Sequence, residues 1–276
     1  MKIQIQRTIL WLSLFLWSLI IVVPILWTVA TSFKTNREFY GNPWQLPESL
    51  NFENYITAWN SANMADYFLN SILVTAVSLT LLLILSSQAA YVLARFSFPF
   101  RRTIEISIIS ALFIPKIFQV VPIFKLVRNL GLFDTHVGLG LVYISINFAL
   151  SVFILIGFYR SLPKELEEAA WIDGSGYFQT YRTIMFPLAQ GGLVTVGVLQ
   201  FLAIWNEYVM ALVLLASPVR YTIPVGLVNL MEVQRYRTDW GALFAGLVIS
   251  MIPAFIIYIL GQSKITEGIT AGAVKG

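Results

Sequence analysis

Six long apolar segments, separated by polar connections, dominate the pattern of the chain. They cover about residues 9–30, 69–94, 104–126, 137–158, 191–215 and 240–260. A transmembrane helix needs about 20 mainly apolar residues to cross the hydrocarbon core, and each segment reaches or approaches that length. Prolines inside the first and third segments are compatible with kinked membrane helices. The pattern therefore predicts an all-α membrane protein with six transmembrane helices.

Composition supports this fold class and narrows the chemistry. The chain is 58% hydrophobic and only 12% charged, about half the charged fraction of a soluble domain. We expect a single transmembrane domain over residues 1–276, with a core of about 69–261 and a first segment that is a retained helix. With no cysteine and one histidine, the chain offers no disulfide, catalytic or metal-ligating set. The formal charge of +4 is modest and does not indicate nucleic-acid binding.

The polar stretch between the fourth and fifth segments, residues 162–187, is too interrupted to span a membrane. Its sequence predicts two short helices. Pro163 suits a first helical position, and acidic residues follow in the first turns, where they complement the helix dipole. Leu166, Ala169 and Ala170 share one small apolar face. Gly174 is expected to end the first helix, and Pro187 the second.

Several residues of this stretch resemble the EAA coupling motif of permease subunits in binding-protein-dependent ABC importers. The matching positions are Glu168, Ala169, Ala170, Asp173, Gly174, Ile184, Pro187 and Leu188. The resemblance implies a cytoplasmic coupling loop over 159–189 whose Glu168 pairs with a basic residue of an ATPase subunit. The two alanines would allow close approach, and Gly174 would provide the bend. An ordinary amphipathic loop at the cytoplasmic face is the alternative.

Three other segments resemble sugar permeases of this class. Asn51-Phe-x-x-Tyr55 is similar to a segment before the second core helix, although a short amphipathic helix on the membrane surface is equally compatible. Residues 130–135 (LGLFDT) and 268–276 (GITAGAVKG) resemble segments of the family, and the latter is typical of the smaller permease of maltose-type importers. The resemblance implies that the cytoplasmic tail, 262–276, reaches toward the ATPase dimer interface. A frayed terminus is the alternative.

The chain has no GxxxxGK[ST] phosphate-binding loop, so ATP hydrolysis is expected on separate subunits. The resemblance implies four kinds of partner: a second homologous permease, two ATPase subunits, an extracytoplasmic solute-binding protein and the lipid bilayer. ATP and Mg²⁺ would bind the ATPase subunits, and no cofactor would bind this chain. Both termini would be cytoplasmic, in a bacterial or archaeal cell membrane.

Two further sets of residues are candidates for contacts with the transported solute and its binding protein. The segment 217–239 is expected to face outside, and its candidates for the binding protein are Asn229, Glu232, Gln234, Arg235 and Tyr236. A solvated loop is the alternative. Polar side chains within spans are candidates for the substrate path or for interhelical hydrogen bonds. They are Gln119, Asn147, Asn206 and Glu207, with Gln88, Lys116 and Gln200 as further members.

The sequence therefore predicts a non-enzymatic permease subunit of an ATP-driven importer whose substrate is a sugar. The same architecture could import a polyol or glycerol phosphate. An ion-gradient-driven secondary transporter is an alternative of another class, and it predicts paired half-repeats with discontinuous helices. A bulky side chain at Ala169, Ala170 or Gly174 is expected to uncouple transport from hydrolysis.

Overall fold

A computed structural model describes residues 2–61, 63–233 and 239–273. No β-strand occurs in these ranges. The chain divides into two compact units, residues 1–65 with 226–252, and residues 66–225 with 253–276. The helices are α1 (Lys2–Thr31), α2 (Asn36–Gly41), α3 (Glu53–Ser61), α4 (Met64–Arg95), α5 (Arg101–Ser110), α6 (Lys116–Asn129), α7 (His136–Ser161), α8 (Glu165–Ile172), α9 (Tyr177–Thr180), α10 (Phe186–Leu188), α11 (Gln190–Trp205), α12 (Val209–Leu214), α13 (Ile223–Val233) and α14 (Trp240–Ala273).

The predicted fold class is confirmed, with breaks that the hydrophobic pattern did not show. In the described part of the chain, α1, α4, α7 and α14 each contain a stretch that is long and apolar enough to cross a membrane. Two bent helix pairs raise the number to as many as six. One pair joins α5, extended by a 3-10 turn, to α6 at an angle of 107°, and the other joins residues 177–188 to α11 at 71°.

The break before α6 has a local cause. Pro115 precedes α6, and Ile114 before it has an extended backbone with ψ of 112°, as steric conflict with a proline ring requires. The fifth apolar segment also breaks, because α11 ends at Trp205 and α12 begins at Val209. The segment 217–239, predicted to be a polar connection, contains helix α13.

Two apolar cores lie among the described residues of the unit 66–225 and 253–276. One includes Leu82, Leu139 and Tyr143, and the other includes Val152, Leu155 and Met185. Helix α11 packs closely on α7, because a Cβ atom at Gly192 would lie only 2.5–2.9 Å from three ring atoms of Phe158. Residues 162–189 connect α7 to α11 and are called the 162–189 loop below. The packing of α11 on α7 fixes the positions at which this loop leaves and re-enters the membrane helices.

In the unit of residues 1–65 and 226–252, a buried lysine and a buried asparagine hold the segment that follows α1. The Lys34 ammonium donates to the carbonyl of Pro43 at 2.7 Å, and burial lowers the pKa of Lys34 although the Glu38 charge opposes this effect. The Asn54 amide donates to the carbonyls of Ser32 and Lys34, each at 2.8 Å. The segment that follows α1 is therefore a folded element with its own internal hydrogen bonds.

Candidate functional site

The first helix of the 162–189 loop ends as its sequence predicted. Gly174 has a left-handed backbone with φ of +85°. The Gly174 N–H donates to the backbone carbonyl of Trp171 at 3.1 Å, and the Ser175 N–H donates to the backbone carbonyl of Ala170 at 2.9 Å. These two bonds form a Schellman motif, in which glycine is favoured because it adopts positive φ without a steric penalty.

Helix α8 presents two different faces. Glu167 and Ala170, three positions apart, are buried against the chain itself. The opposite face is exposed and follows the i, i+3, i+4, i+7 spacing of one helical stripe; it consists of Glu165, Glu168, Ala169 and Ile172. Leu166 is also exposed. The predicted apolar face of Leu166, Ala169 and Ala170 is therefore divided, since only Ala170 points inward.

A buried ion pair attaches α8 to the last turn of α4. The Arg95 guanidinium contacts the Glu167 carboxylate through both Nε and Nη2, and the two side chains are only 4% and 5% exposed. The Tyr91 hydroxyl donates to the other carboxylate oxygen of Glu167 at 2.8 Å. Both oxygens of Glu167 thus have partners, as a buried carboxylate requires.

The same guanidinium also holds the segment that leads into α8. Its Nη1 donates to the carbonyls of Tyr159 at 3.3 Å and Leu162 at 3.0 Å. Its Nη2 donates to the carbonyl of Pro163 at 3.0 Å. Arg95 therefore satisfies carbonyls at the end of α7 and in the connection to α8, a task that suits the planar five-donor fork of arginine.

Beside this ion pair, a tyrosine network connects the loop to α4 and α7. The Tyr181 hydroxyl donates to Ser87 Oγ at 2.9 Å, and Ser87 Oγ lies 2.6 Å from the Tyr159 hydroxyl. The Tyr91 and Tyr181 rings pack with centroids 5.1 Å apart. A mainly apolar cavity of about 530 Å³ lies next to these rings, lined by Gln88, Tyr91, Val92, Phe96, Tyr177, Phe178 and Tyr181.

The second half of the loop differs from the predicted regular helix. Residues Tyr181–Met185 form a π-helical turn, a local widening that is frequent at functional sites. Pro187 lies inside the short helix α10, so the segment continues to Leu188. The chain then bends into α11.

The candidates for binding-protein contact are only partly described. Asn229 is half-buried in α13, and Glu232 lies on the same helix. Gln234, Arg235 and Tyr236 lie outside the described residues, and so do residues 274–276 of the predicted tail, whose preceding part continues α14 to Ala273.

Three of the proposed substrate-path residues, together with Tyr143, form one polar chain through the helices. The Lys116 ammonium, at the start of α6, lies 3.3 Å from Asn147 Oδ1 on α7. The buried Asn147 amide donates to the Tyr143 carbonyl at 2.8 Å, and the Tyr143 hydroxyl donates to Glu207 at 3.0 Å. Residues at both breaks, before α6 and before α12, are thus hydrogen-bonded to α7.

Glu207 also stabilises the broken fifth segment. Its carboxylate accepts the N–H groups of Met210 at 2.8 Å and Ala211 at 3.1 Å, which lie in the first turn of α12 and have no partner within that helix. Asn206 donates back to the Leu202 carbonyl at 2.9 Å. These contacts show that both residues support the helix break.

The remaining polar candidates lie apart from this chain of contacts. Half-buried Gln119 donates to the Ile114 carbonyl at 3.0 Å, and exposed Gln88 lines the cavity beside the 162–189 loop. Buried Gln200 has no hydrogen-bond partner for its Nε2 within the described part of the chain. Among the described residues, no group of three or more His, Cys, Asp or Glu side chains could hold a metal ion.

Sequence reasoning missed the pairing of Glu167 with Arg95. The acidic residues of the first turns, Glu167 among them, were assigned only to the helix dipole. The available signal was an arginine at the end of an apolar helix together with a second glutamate directly before Glu168. Because the two residues are 72 positions apart, only the fold brings them together.

Comparisons with known proteins agree with this architecture. The model of the family described as "Binding-protein-dependent transport system inner membrane component" matches residues 86–270. The fold is similar to a chain of the crystal structure of a bacterial ABC transporter involved in the import of the acidic polysaccharide alginate. The TM-score is 0.82 at 24% identity, over 94% of this chain and 96% of that chain.

Curated relatives match nearly the whole length. A putative ABC transporter permease protein ORF2 of Caldicellulosiruptor is 41% identical over 275 residues, 99% of both chains. The diacetylchitobiose uptake system permease protein NgcG of Streptomyces coelicolor is 37% identical over 95% of this chain and 87% of that protein. The trehalose/maltose transport system permease protein MalG of Thermococcus litoralis is 33% identical over 99% and 98%.

These matches support a permease, and nothing in them supports an ion-gradient-driven secondary transporter. The family match and the relatives that cover nearly the whole chain agree with a membrane subunit of a transport system. The chain belongs to the family of inner membrane components of binding-protein-dependent transport systems.

Proposed function

We propose that this chain is the smaller membrane subunit of an ATP-driven carbohydrate importer, with a disaccharide, oligosaccharide or glycoside as its substrate. Relatives named for diacetylchitobiose and for trehalose or maltose support the substrate class. The subunit pairs with a second, homologous permease to form the translocation path. An extracytoplasmic binding protein delivers the sugar, and the 217–239 segment contacts it.

Two ATPase subunits supply the energy, and they alone bind ATP and Mg²⁺. The exposed stripe of α8 is the observation that carries this proposal. Its members are small or acidic next to one large apolar residue, Ile172, and they point away from the chain. Glu168 is free to pair with a basic residue of an ATPase cleft, while Ala169 permits close approach. The loop 159–189 and both termini are then cytoplasmic.

A reconstituted complex of both permeases, the ATPase and the binding protein tests this function. The complex is assayed against a panel of sugars, polyols and glycerol phosphate. We expect one class of sugar to stimulate ATP hydrolysis and to accumulate in proteoliposomes. Ala169→Trp should abolish this stimulation, because a large side chain on the exposed stripe blocks the close approach. The measurements are hydrolysis rate and labelled-sugar uptake per complex.

Ala169→Ser is the matched control, since it keeps the side chain small and should transport normally. Ala170→Trp is a poor choice, because Ala170 is buried and a tryptophan there would disturb the packing of α8 itself. Normal sugar-stimulated hydrolysis in Ala169→Trp would contradict the assigned ATPase-facing surface. Accumulation of only a polyol or glycerol phosphate would contradict the carbohydrate assignment.

A further inference from the structure

We propose that the buried contact of Arg95 with Glu167, completed by Tyr91, transmits movement between the coupling helix α8 and the membrane helix α4. This proposal rests on the proposed function, in which α8 is the part of the chain that an ATPase subunit moves. Arg95 and Glu167 act here as positioning residues that touch neither the sugar nor the nucleotide.

The first argument concerns where α8 is attached. Its inward face consists of Glu167 and Ala170. Ala170 provides only a methyl group, so Glu167 supplies the directional contacts. Its carboxylate receives Arg95 on one oxygen and Tyr91 on the other. A force applied to the exposed stripe of α8 therefore reaches the last two turns of α4 through this carboxylate.

The second argument concerns the connection that enters α8. Only three residues, 162–164, separate α7 from α8. The Arg95 guanidinium binds the carbonyls of Leu162 and Pro163 in this connection, each at 3.0 Å. Arg95 thus holds both α8 and the connection that leads into it. Because of these contacts, α8 cannot move independently of α4.

The third argument concerns burial. Both charged side chains are nearly excluded from solvent, at 4% and 5% exposure. A charge pair in such surroundings interacts more strongly than in water, and removing one partner leaves an uncompensated buried charge. By contrast, the nearby pair of Arg160 and Glu105 is partly open to solvent, at 46% and 17% exposure, and Glu105 also lies 3.9 Å from Arg101. Such a pair contributes little, which makes it a matched control.

The test uses the complete reconstituted complex and measures sugar uptake per ATP hydrolysed. Glu167→Gln keeps the shape of the side chain but removes its charge. We expect uptake per ATP to fall at least about fivefold, the lower end of typical coupling between sites, while the ATPase subunits still co-purify with the permease. Glu105→Gln, the control at the exposed pair, should leave the ratio unchanged.

A conservative replacement provides the second variant. Glu167→Asp keeps a carboxylate opposite Arg95 and leaves the arginine's bonds to the backbone in place, so it should recover part of the ratio that Glu167→Gln loses. If a purely structural role is correct, both variants will reduce the amount of inserted complex but leave uptake per ATP unchanged for the complex that remains, and this result would overturn the proposal. Failure of the wild-type chain to bind any ATPase would instead refute the proposed function.

Discussion

Glu167 and Glu168 are adjacent and chemically identical, but the fold places their side chains in different surroundings. Glu168 is exposed on α8 and has no role in the internal packing, whereas Glu167 is buried and binds Arg95 and Tyr91. A helix turns by about 100° per residue, so neighbouring positions point in different directions. The sequence motif drew attention to Glu168, and the structure adds Glu167 as the residue that attaches the helix.

Asp134 is a second residue whose role became clear only in the structure. Its carboxylate accepts the Ser217 hydroxyl at 2.5 Å and the N–H groups of Ala216 and Ser217 at 2.9 and 3.0 Å. Arg220 contacts it at 3.0 Å and also binds its backbone carbonyl. Partial burial acts to raise the pKa of Asp134, but these hydrogen bonds and the Arg220 charge outweigh burial and hold the pKa below its ordinary value.

This lowered pKa predicts a loss of stability in acid. The unfolded Asp134 titrates near its ordinary pKa of about 3.9, so its contribution is fully present above that pH and is lost as the pH falls through the lower folded pKa. At pH 6 the thermal unfolding midpoint of purified Asp134→Asn should therefore be lower than that of the wild-type chain. This difference between variant and wild type should vanish at lower pH. Glu53→Gln, at an exposed carboxylate, is the control. A difference that stays constant with pH would contradict the assignment.

At the scale of elements, helix ends were easier to predict than helix continuity. The stop at Gly174 follows from one residue type, because only a left-handed backbone closes the Schellman motif. The breaks before α6 and α12 lie inside apolar segments, where apolar length alone gives no sign of them. Pro115 was a local signal for the first break. The second is stabilised by Glu207, whose carboxylate binds the start of α12.

Gly174→Ala tests the helix stop. A Cβ atom at position 174 would meet no atom within 4 Å, but φ of +85° is strained for any residue with a Cβ. We expect a loss of about 1 kcal/mol in unfolding free energy, measured by denaturant titration in detergent. Gly176→Ala is the control, because Gly176 also has free space but a φ of −73°. Equal stability of Gly174→Ala and wild type would contradict a conformational role for this glycine.

At the scale of the whole molecule, orientation in the membrane is the main consequence of the proposed function. If α8 faces an ATPase, its exposed stripe lies in the cytoplasm. With both termini cytoplasmic, as proposed, the segment between α1 and α4 is expected on the outer face of the membrane. The chain contains no cysteine, so a single introduced thiol reports the side of the membrane on which it lies.

We expect Ile172→Cys, at a highly exposed position of α8, to react with a membrane-impermeant maleimide only after the cells are permeabilised. Leu46→Cys, exposed in the segment between α2 and α3, should react in intact cells, and the wild-type chain should not react at all. Labelling of Ile172→Cys in intact cells would place α8 on the outer face and contradict the coupling role. This measurement requires no partner subunit.

The sequence by itself determined the membrane class, the number of apolar segments, the place of the polar loop and the end of α8. These features depend on local properties, such as apolar length and the backbone freedom of a glycine. Such properties are set by a few neighbouring residues in the sequence. The match of residues 168–188 to a coupling motif also came from a contiguous stretch.

Only the tertiary structure decided which face of α8 is exposed, which glutamate holds it and how the broken spans are connected. Arg95 and Glu167 are far apart in sequence, and Lys116, Asn147 and Glu207 come from three different segments. Hydrophobic pattern identifies residues that avoid water, but several arrangements bury them equally well. The choice among those arrangements depends on pairing polar groups inside the membrane domain, where an unpaired group is costly.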